Sequence, residues 1–513
     1  MSQINITNLT FHYEGSDENI FENVSLQLDT DWKLGLVGRN GKGKTTLFNL
    51  FLGKYDQSGK ITSDTAFRYF PAQIPGNEYY HMTLELMQKA FPDREDWCIM
   101  REMGYMDMDT EMLYRPYFTL SPGERTRVML CCLFAGDNEF MLIDEPTNHL
   151  DSQTRRVILD YLSIKRGFIV VSHDRKILDE CTDHTLALNR TSIELTRGNF
   201  STWWDNRQRQ NEFEQNQNDK LGREIKHLTE SAKRTAAWAD KNESTKIGFD
   251  PVKEHDRCIA TRSYIGAKTK SAQRRRKNLE NRQSAEIEEK RGLLLDVETV
   301  DDIKLMPRRY FKDTLVRADG VSISYDGRKI CSDISFEIKN GDRLRLSGMN
   351  GCGKSSIIKL ILGAKATSES SIYNGIVSGV PVLDGKLYVG SGLIISYCGQ
   401  DASMMRGTLT ELAEKENIDK TILFAVLRKL GVDRNQFDTD ITYFSEGQKK
   451  KAALAASLCR SADLYIWDEP MNYIDIFSRM QIEDLILKFK PTMAFVEHDD
   501  DFAGKAATAT VEM

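Results

Sequence analysis

One progression of apolar and polar positions runs through the chain twice. INITNLTFHY (4–13) and VSLQLDT (24–30) alternate with a period of two, as do ADGVSISY (318–325) and ISFEIKN (334–340). Such alternation predicts strands with one face in water, and these segments read as edge strands. Each pair leads to an apolar run, KLGLVG (33–38) or RLRLSG (343–348), then to a glycine loop and a helical segment, TTLFNLFLG (45–53) or SSIIKLILG (355–363). The later apolar runs FMLID (140–144) and GFIVVSHD (167–174), and their counterparts LYIWD (464–468) and TMAFVEHD (492–499), have the length of buried strands. Strand, glycine loop, helix and further parallel strands predict an α/β P-loop domain in each repeat.

The middle of the chain follows another rule. From 205 to about 239 there is no proline, and Phe213, Leu221, Ile225 and Leu228 recur at helical spacing. After the breakers Gly248, Pro251 and Gly266, the stretch 264–297 behaves the same way. Two helices of roughly 35 residues, each about 50 Å long, predict an antiparallel hairpin with its tip near 246–264. The resulting division is 1–204, 205–300 and 301–513.

Four motifs recur in the same order, and they supply the chemistry. GRNGKGKTT (38–46) returns as GMNGCGKSS (348–356), LSPGE (120–124) as FSEGQ (444–448), MLIDEPTNHLD (141–151) as YIWDEPMNYID (465–475), and VSHD (171–174) as VEHD (496–499). Lys44 and Lys354 are 310 positions apart, Ser121 and Ser445 324, Asp144 and Asp468 324, and His173 and His498 325. In the loops Gly38, Asn40, Gly41, Lys42, Gly43 and Thr46, with Gly348, Asn350, Gly351, Cys352, Gly353 and Ser356, turn backbone amides toward phosphate oxygens at a helix N-terminus. Lys44 and Lys354 would reach the β/γ-phosphates of ATP, and the hydroxyls of Thr45 and Ser355 would hold Mg²⁺ with Asp144 and Asp468. Glu145 and Glu469 follow as candidates to polarise the attacking water. Ser121 and Gly123, and Ser445 and Gly447, each open a helix and would offer a second set of phosphate donors. Lying far from their own glycine loop, they predict a head-to-tail arrangement in which each repeat closes over ATP bound by the other. His173 and His498 are the candidate γ-phosphate sensors.

Composition narrows the setting. A chain of 513 residues exceeds one core and suits two domains with a connector. No apolar stretch approaches the ~20 residues of a membrane span, and the N-terminal segment lacks the basic-then-apolar order of a signal peptide. Nine cysteines without a CxxC pair predict neither a zinc site nor a disulfide framework, so a reducing cytoplasm is expected. The net charge is −6, yet 207–291 carries 21 Lys and Arg against 14 Asp and Glu. Within 257–282, nine basic residues face the single acid Glu280. A basic connector between acidic domains points to a polyanionic partner.

The ordered set of glycine loop, glutamine, LSPGE, DEPTNHLD and VSHD resembles the ATP-binding cassette (ABC) superfamily across both repeats. Two cassettes, a helical linker and no transmembrane segment look like its ABC-F subfamily. The resemblance implies two tandem ABC-type P-loop ATPase domains joined by a long antiparallel α-helical hairpin linker, with ATP and Mg²⁺ as ligands. It further implies that Tyr13 and Tyr325 stack on adenine, that Gln73 and Gln400 contact Mg²⁺ and water, and that Asp151 and Asp475 couple the two sites. The family's proteins are translation factors that bind the ribosomal E site and reach toward the peptidyl-transferase centre.

Departures from the family pattern are part of the reading. Glu446 stands where glycine is usual, and Met471 and Tyr473 replace Thr and His of the first repeat, so the two sites are expected to be unequal. Gln73 to Ser121 spans 48 residues and Gln400 to Ser445 spans 45, which leaves no room for an arm insertion in the first cassette. Lys44 to Gln73 spans 29 residues but Lys354 to Gln400 spans 46, which predicts an insertion around 373–392. No extension is expected beyond the segment that follows His498.

Without the arm, and with segments such as GNFSTWW (198–204), the chain is similar to the antibiotic-resistance branch, whose members protect ribosomes from lincosamides, pleuromutilins and streptogramin A. On that resemblance the partner is the 70S ribosome, with its 23S rRNA, P-site tRNA and E site. The linker would displace the tRNA and promote drug release. Arg262, Lys268, Lys270, Arg274, Arg275, Arg276 and Lys277 would neutralise phosphates, while Phe249 and Tyr264 would stack on bases or press on the drug site. The alternative is a housekeeping translation factor that relieves stalled ribosomes. Either way the protein is expected to be a cytoplasmic monomer with an intramolecular cassette dimer and no membrane partner.

Overall fold

The computed structural model describes residues 2–14, 19–148, 150–189, 191–244, 307–325, 328–349, 351–365 and 382–513. In the first repeat the apolar runs lie side by side in a six-stranded sheet. Its lateral order is Ala66–Phe70, Glu139–Asp144, Phe168–Val171, Lys33–Val37, His184–Leu188 and Ile193–Arg197. All neighbours are parallel except the last pair. In the second repeat five parallel strands follow the order Ile395–Cys398, Leu464–Asp468, Met493–Val496, Arg343–Ser347 and Ala509–Glu512. Strands such as Glu139–Asp144 and Phe168–Val171 are almost wholly apolar because both faces are covered; Phe140, Leu142, Ile169 and Val170 are all wholly buried. The strand Lys33–Val37 and its counterpart Arg343–Ser347 deliver the chain into the glycine loops at their C-terminal ends. Open parallel sheets place ligands at that edge.

The alternating segments do not border these sheets. They form separate three-stranded antiparallel sheets, Phe21–Asp29, Gln3–Phe11 and Ser58–Ser63 in one repeat and Arg328–Lys339, Thr314–Tyr325 and Val382–Val389 in the other. Antiparallel sheets tolerate one wet face. The dry face, with Ile4, Ile6, Leu9, Val24 and Leu28, joins one core with Leu47, Phe48, Leu50 and Phe51 of the helix Lys44–Phe51. That helix opens at the glycine loop, so packing from two sheets fixes its N-terminus.

The same pairing relocates the insertion in the second repeat. Val382–Val389 pairs with Thr314–Tyr325 as Ser58–Ser63 pairs with Gln3–Phe11. It is therefore shared structure, although it falls within the expected 373–392. Only six residues separate the first helix from its following strand, but sixteen separate Lys354–Lys365 from Val382–Val389. The excess lies mainly before Val382, in a stretch outside the described residues.

Two glycines make these small sheets possible. Gly59 and Gly385 have φ of +93° and +98°, and a Cβ on either would sit 2.3 Å from a backbone oxygen, that of Asn8 or Gly320. Neither the left-handed backbone nor the close approach admits a side chain. Gly59→Ala is expected to lose about 2 kcal/mol or more, measured as a lower urea midpoint; an unchanged midpoint would contradict this.

The two repeats together, Met1–Trp203 with Asp301–Met513, form one compact unit, and Trp204–Val300 forms another. A helix of 45 residues, Phe200–Ser244, leaves the first repeat. It starts before the expected position 205 because Phe200 and Trp203 are buried, with ring centroids 6.5 and 6.0 Å from Phe477 of the second repeat. Along it Phe213 is exposed and Leu221 and Ile225 are half-buried. The expected return helix and tip, with Phe249, Arg262, Tyr264, Lys268, Lys270, Arg274, Arg275 and Arg276, lie outside the described residues. Among those described, no helix is long and apolar enough to cross a membrane.

Candidate nucleotide sites

Each glycine loop turns back on itself through left-handed glycines, Gly41 and Gly43 in the first and Gly351 and Gly353 in the second. The lysine that follows folds over its own loop. Lys44 Nζ donates to Gly38 O at 2.7 Å and Asn40 Oδ1 at 3.2 Å; Lys354 Nζ donates to Gly348 O at 2.7 Å and Met349 O at 2.9 Å. Thr45 Oγ1 donates to Asp144 Oδ2 at 3.1 Å, and Tyr69 hydroxyl reaches the same oxygen at 3.2 Å. The matching hydroxyl of Ser355 bonds Asp468, whose Oδ1 is buried without a hydrogen-bond partner. A carboxylate and a hydroxyl at the mouth of a phosphate loop, with an unsatisfied oxygen, suit a hard divalent cation. Burial raises the pKa of both Asp144 and Asp468.

Glu145 and Glu469 are held in the left-handed region, with φ of +50° and +47°. Such backbone is costly for a residue with a side chain and collects at functional sites. It is secured in both repeats by a hydrogen bond to the neighbouring strand, the Glu145 N–H donating to Val171 O at 2.9 Å and the Glu469 N–H to Val496 O at 3.0 Å. The two carboxylates then meet different surroundings. Glu145 Oε1 lies 3.1 Å from His173 Nε2, and its Oε2 accepts from the His173 amide at 3.4 Å. Burial, opposed by the nearby Lys44, raises Glu145 to about 7. Burial also drives His173 well below its ordinary value, so that imidazole is neutral. Glu469 Oε2 instead accepts from Gln400 Nε2 at 3.0 Å and Asn472 Nδ2 at 2.7 Å, while His498 Nε2 stands 3.6 Å from Oε1. Burial pushes Glu469 upward, but His498 and Asn472 outweigh it and leave the acid below its usual range.

The second repeat reaches the first glycine loop. Asn40 Nδ2 donates to Tyr473 O at 2.9 Å, and a Cβ on Gly447 would stand 3.2 Å from Tyr473 O and 3.9 Å from Asn40 Nδ2. Ser445 and Ser121 both cap their helices, through the amides of Gln448 and Glu124. Glu446 is engaged by the Tyr473 hydroxyl, so two of the three departures noted in the second repeat are partners. Asp475 is wholly buried, 2.8 Å from Lys451 Nζ, and caps its helix at Ser478; Asp151 caps the corresponding helix at Thr154. Among the described residues, the nearest atoms to a Cβ on Gly123 belong to Thr154 of its own repeat; His149 and Asn350, the counterparts of Tyr473 and Asn40, lie outside them.

Tyr13 is exposed at the loop, its hydroxyl 2.7 Å from Thr46 Oγ1 and its ring edge-on to Phe11 and Tyr55. Gln73 is exposed. Asn350 and the side chain of Tyr325 lie outside the described residues. Arg479 escaped the sequence reading. It donates to Ile474 O, Met471 O and Asp499 Oδ2 in its own repeat and, at 3.1 Å, to His173 O in the other. Its counterpart Arg155, 324 positions earlier, was the available signal.

Residues 21–148 and 331–472, more than half the chain, match the ABC transporter family. The chain belongs to the ABC family. It is an ATPase with ATP and Mg²⁺ as ligands, and its relatives group it with the ABC-F ATPases. It is 24% identical to the ribosome protection protein VmlR of Bacillus subtilis, over 99% of this chain and 86% of that protein. To the ATP-binding protein Uup of Caulobacter vibrioides it is 27% identical, covering 96% and 74%. To the energy-dependent translational throttle protein EttA of Mycobacterium tuberculosis it is 24% identical, covering 96% and 88%. The archaeal ribosome recycling factor aABCE1, solved with the ribosomal stalk protein aP1, shares the fold at a TM-score of 0.61 and 19% identity, over 98% of this chain and 87% of that one.

Proposed function

We propose that this ABC-F ATPase acts on the ribosome as a translation factor whose binding is governed by the nucleotide state of its cassettes. The observation that carries the reading is the joining of two cassettes in one compact unit to a segment of opposite charge. A helix of 45 residues leads into a stretch with nine basic residues against one acid. Such a segment fits a phosphate backbone, and the relatives VmlR and EttA are named for ribosome protection and for throttling translation.

At the sites, Thr45 with Asp144 and Ser355 with Asp468 would hold Mg²⁺, which supplies charge neutralisation at the phosphates. Lys44 and Lys354 bind the β/γ-phosphates. Glu145 and Glu469 accept hydrogen bonds from the attacking water and orient it in line, with Gln73 and Gln400 completing the polar wall. His173 and His498 sense the γ-phosphate beside them. Ser445 and Gly447 close the first site, and Ser121 and Gly123 close the second. Tyr13 and Tyr325 stack on adenine.

A second reading, protection from drugs at the peptidyl-transferase centre by displacing P-site tRNA through the E site, is favoured by the match to VmlR over 99% of this chain and 86% of that protein. One experiment separates the readings. The Glu145→Gln, Glu469→Gln chain with ATP is pelleted with 70S ribosomes, and wild type is expressed in a sensitive strain grown with lincomycin or tiamulin. Co-sedimentation with unchanged susceptibility supports the translation factor, and reduced susceptibility supports protection. If the chain stays in the supernatant, both fail.

A further inference from the structure

Arg175 and Lys176 open the helix Arg175–Glu180 directly after the capping Asp174, and Asp500 and Asp501 open the helix Asp500–Ala506 directly after Asp499. In the repeat register these are equivalent positions, 325 apart, yet their charges are opposite. In the folded unit they face each other. Arg175 Nη2 lies 2.7 Å from Glu483 Oε2 and Nη1 lies 3.1 Å from Asp501 Oδ2, while Lys176 Nζ is 3.8 Å from Asp500 Oδ2. The Arg175 side chain is 16% exposed and that of Glu483 7%, so the main pair is largely shielded from salt. Two cations on the acidic side belong to the same cassette: Lys505 lies 3.0 Å from both Glu483 Oε1 and Asp501 Oδ2, and Arg345 lies 2.7 Å from Asp500 Oδ1. Arg175 takes the Glu483 oxygen that Lys505 leaves free.

Because equivalent positions meet, a cassette paired with its own kind would set these positions against copies of themselves. Two first cassettes would oppose Arg175 and Lys176 to Arg175 and Lys176, with Leu159 in place of Glu483. Two second cassettes would gather Glu483, Asp500 and Asp501 twice over. Like charges brought together in a contact suppress the wrong partner. We propose that Arg175 and Lys176, against Glu483, Asp500 and Asp501, form a charge lock that selects pairing of the two cassettes of one chain over pairing with the same cassette of a second copy.

Its effect on turnover rests on the reading that the ATP sites are shared between cassettes. Arg175→Glu and Glu483→Arg, made singly in the full chain, should each lower ATP turnover about tenfold or more. The double variant should regain most of it at the mass of one chain, measured by light scattering with a non-hydrolysable ATP analogue. Mixing the two single variants should also restore turnover, now in a particle of two chains, since each supplies the charge the other lacks. If Glu483→Arg reduces soluble yield, the more exposed Asp501→Arg takes its place in the same pairings. Wild-type turnover in Arg175→Glu, or no recovery in either the double variant or the mixture, overturns the lock. The glutamine variants at Glu145 and Glu469 report on the sites independently of it.

Discussion

ATP turnover in the Glu145→Gln, Glu469→Gln chain is expected to fall at least about a hundredfold, the scale on which a positioned general base contributes. ATP affinity should stay within a few-fold of wild type, because binding falls to the glycine loops and lysines. The substitution keeps shape and hydrogen-bonding capacity while removing the carboxylate that would take a proton from water. The single variants should be unequal. Glu145 is engaged by His173, whereas Glu469 already accepts from Gln400 and Asn472, so Glu145→Gln is expected to cost more turnover than Glu469→Gln. Steady-state phosphate release, with ATP binding measured separately, checks both statements. Full turnover in the double variant would remove these glutamates from the chemistry.

Arg479→Met should give the largest loss of stability, on the order of 3–5 kcal/mol. The guanidinium is buried and donates to three carbonyls and one carboxylate, one of those carbonyls in the other cassette. Methionine fills similar volume but leaves Asp499 buried without its cation. Arg155→Met is the internal comparison. Arg155 donates to Leu150 O at 2.9 Å but stands 3.9 Å from Asp174, so it should lose only about 1–3 kcal/mol. Urea midpoints of the two variants decide the matter; equal shifts would show that the bond from Arg479 to His173 O contributes nothing.

The two residues also mark how far the sequence could be read. Repeat register alone locates both glycine loops, both acid pairs and both histidines, because each motif binds phosphate through local backbone that only a few residue types allow. The wholly apolar strands were equally plain, since burial on both faces leaves no polar position to confuse. Alternation says only that one face is wet, not which strands a segment joins, and so the small antiparallel sheets were misplaced as edges. A difference in spacing measures the length of an insertion but not its position, and Val382–Val389 corrected that. Glu446 and Tyr473 looked like separate departures because 27 positions of sequence hide a contact between side chains. Arg479 was invisible for the opposite reason: its partners are mostly carbonyls, which every residue carries.

The burial of Phe200 and Trp203 beside Phe477 has a mechanical meaning. These rings are the root of a helix of 45 residues, and Phe477 follows the buried Asp475 by two positions in the other cassette. The root is therefore clamped by both halves of the engine at once. At 1.5 Å per residue its 45 residues span about 67 Å, so in a straight helix of that length a change of about 5° at one end would displace the other by about 6 Å. The helix thus begins on a surface that both repeats build.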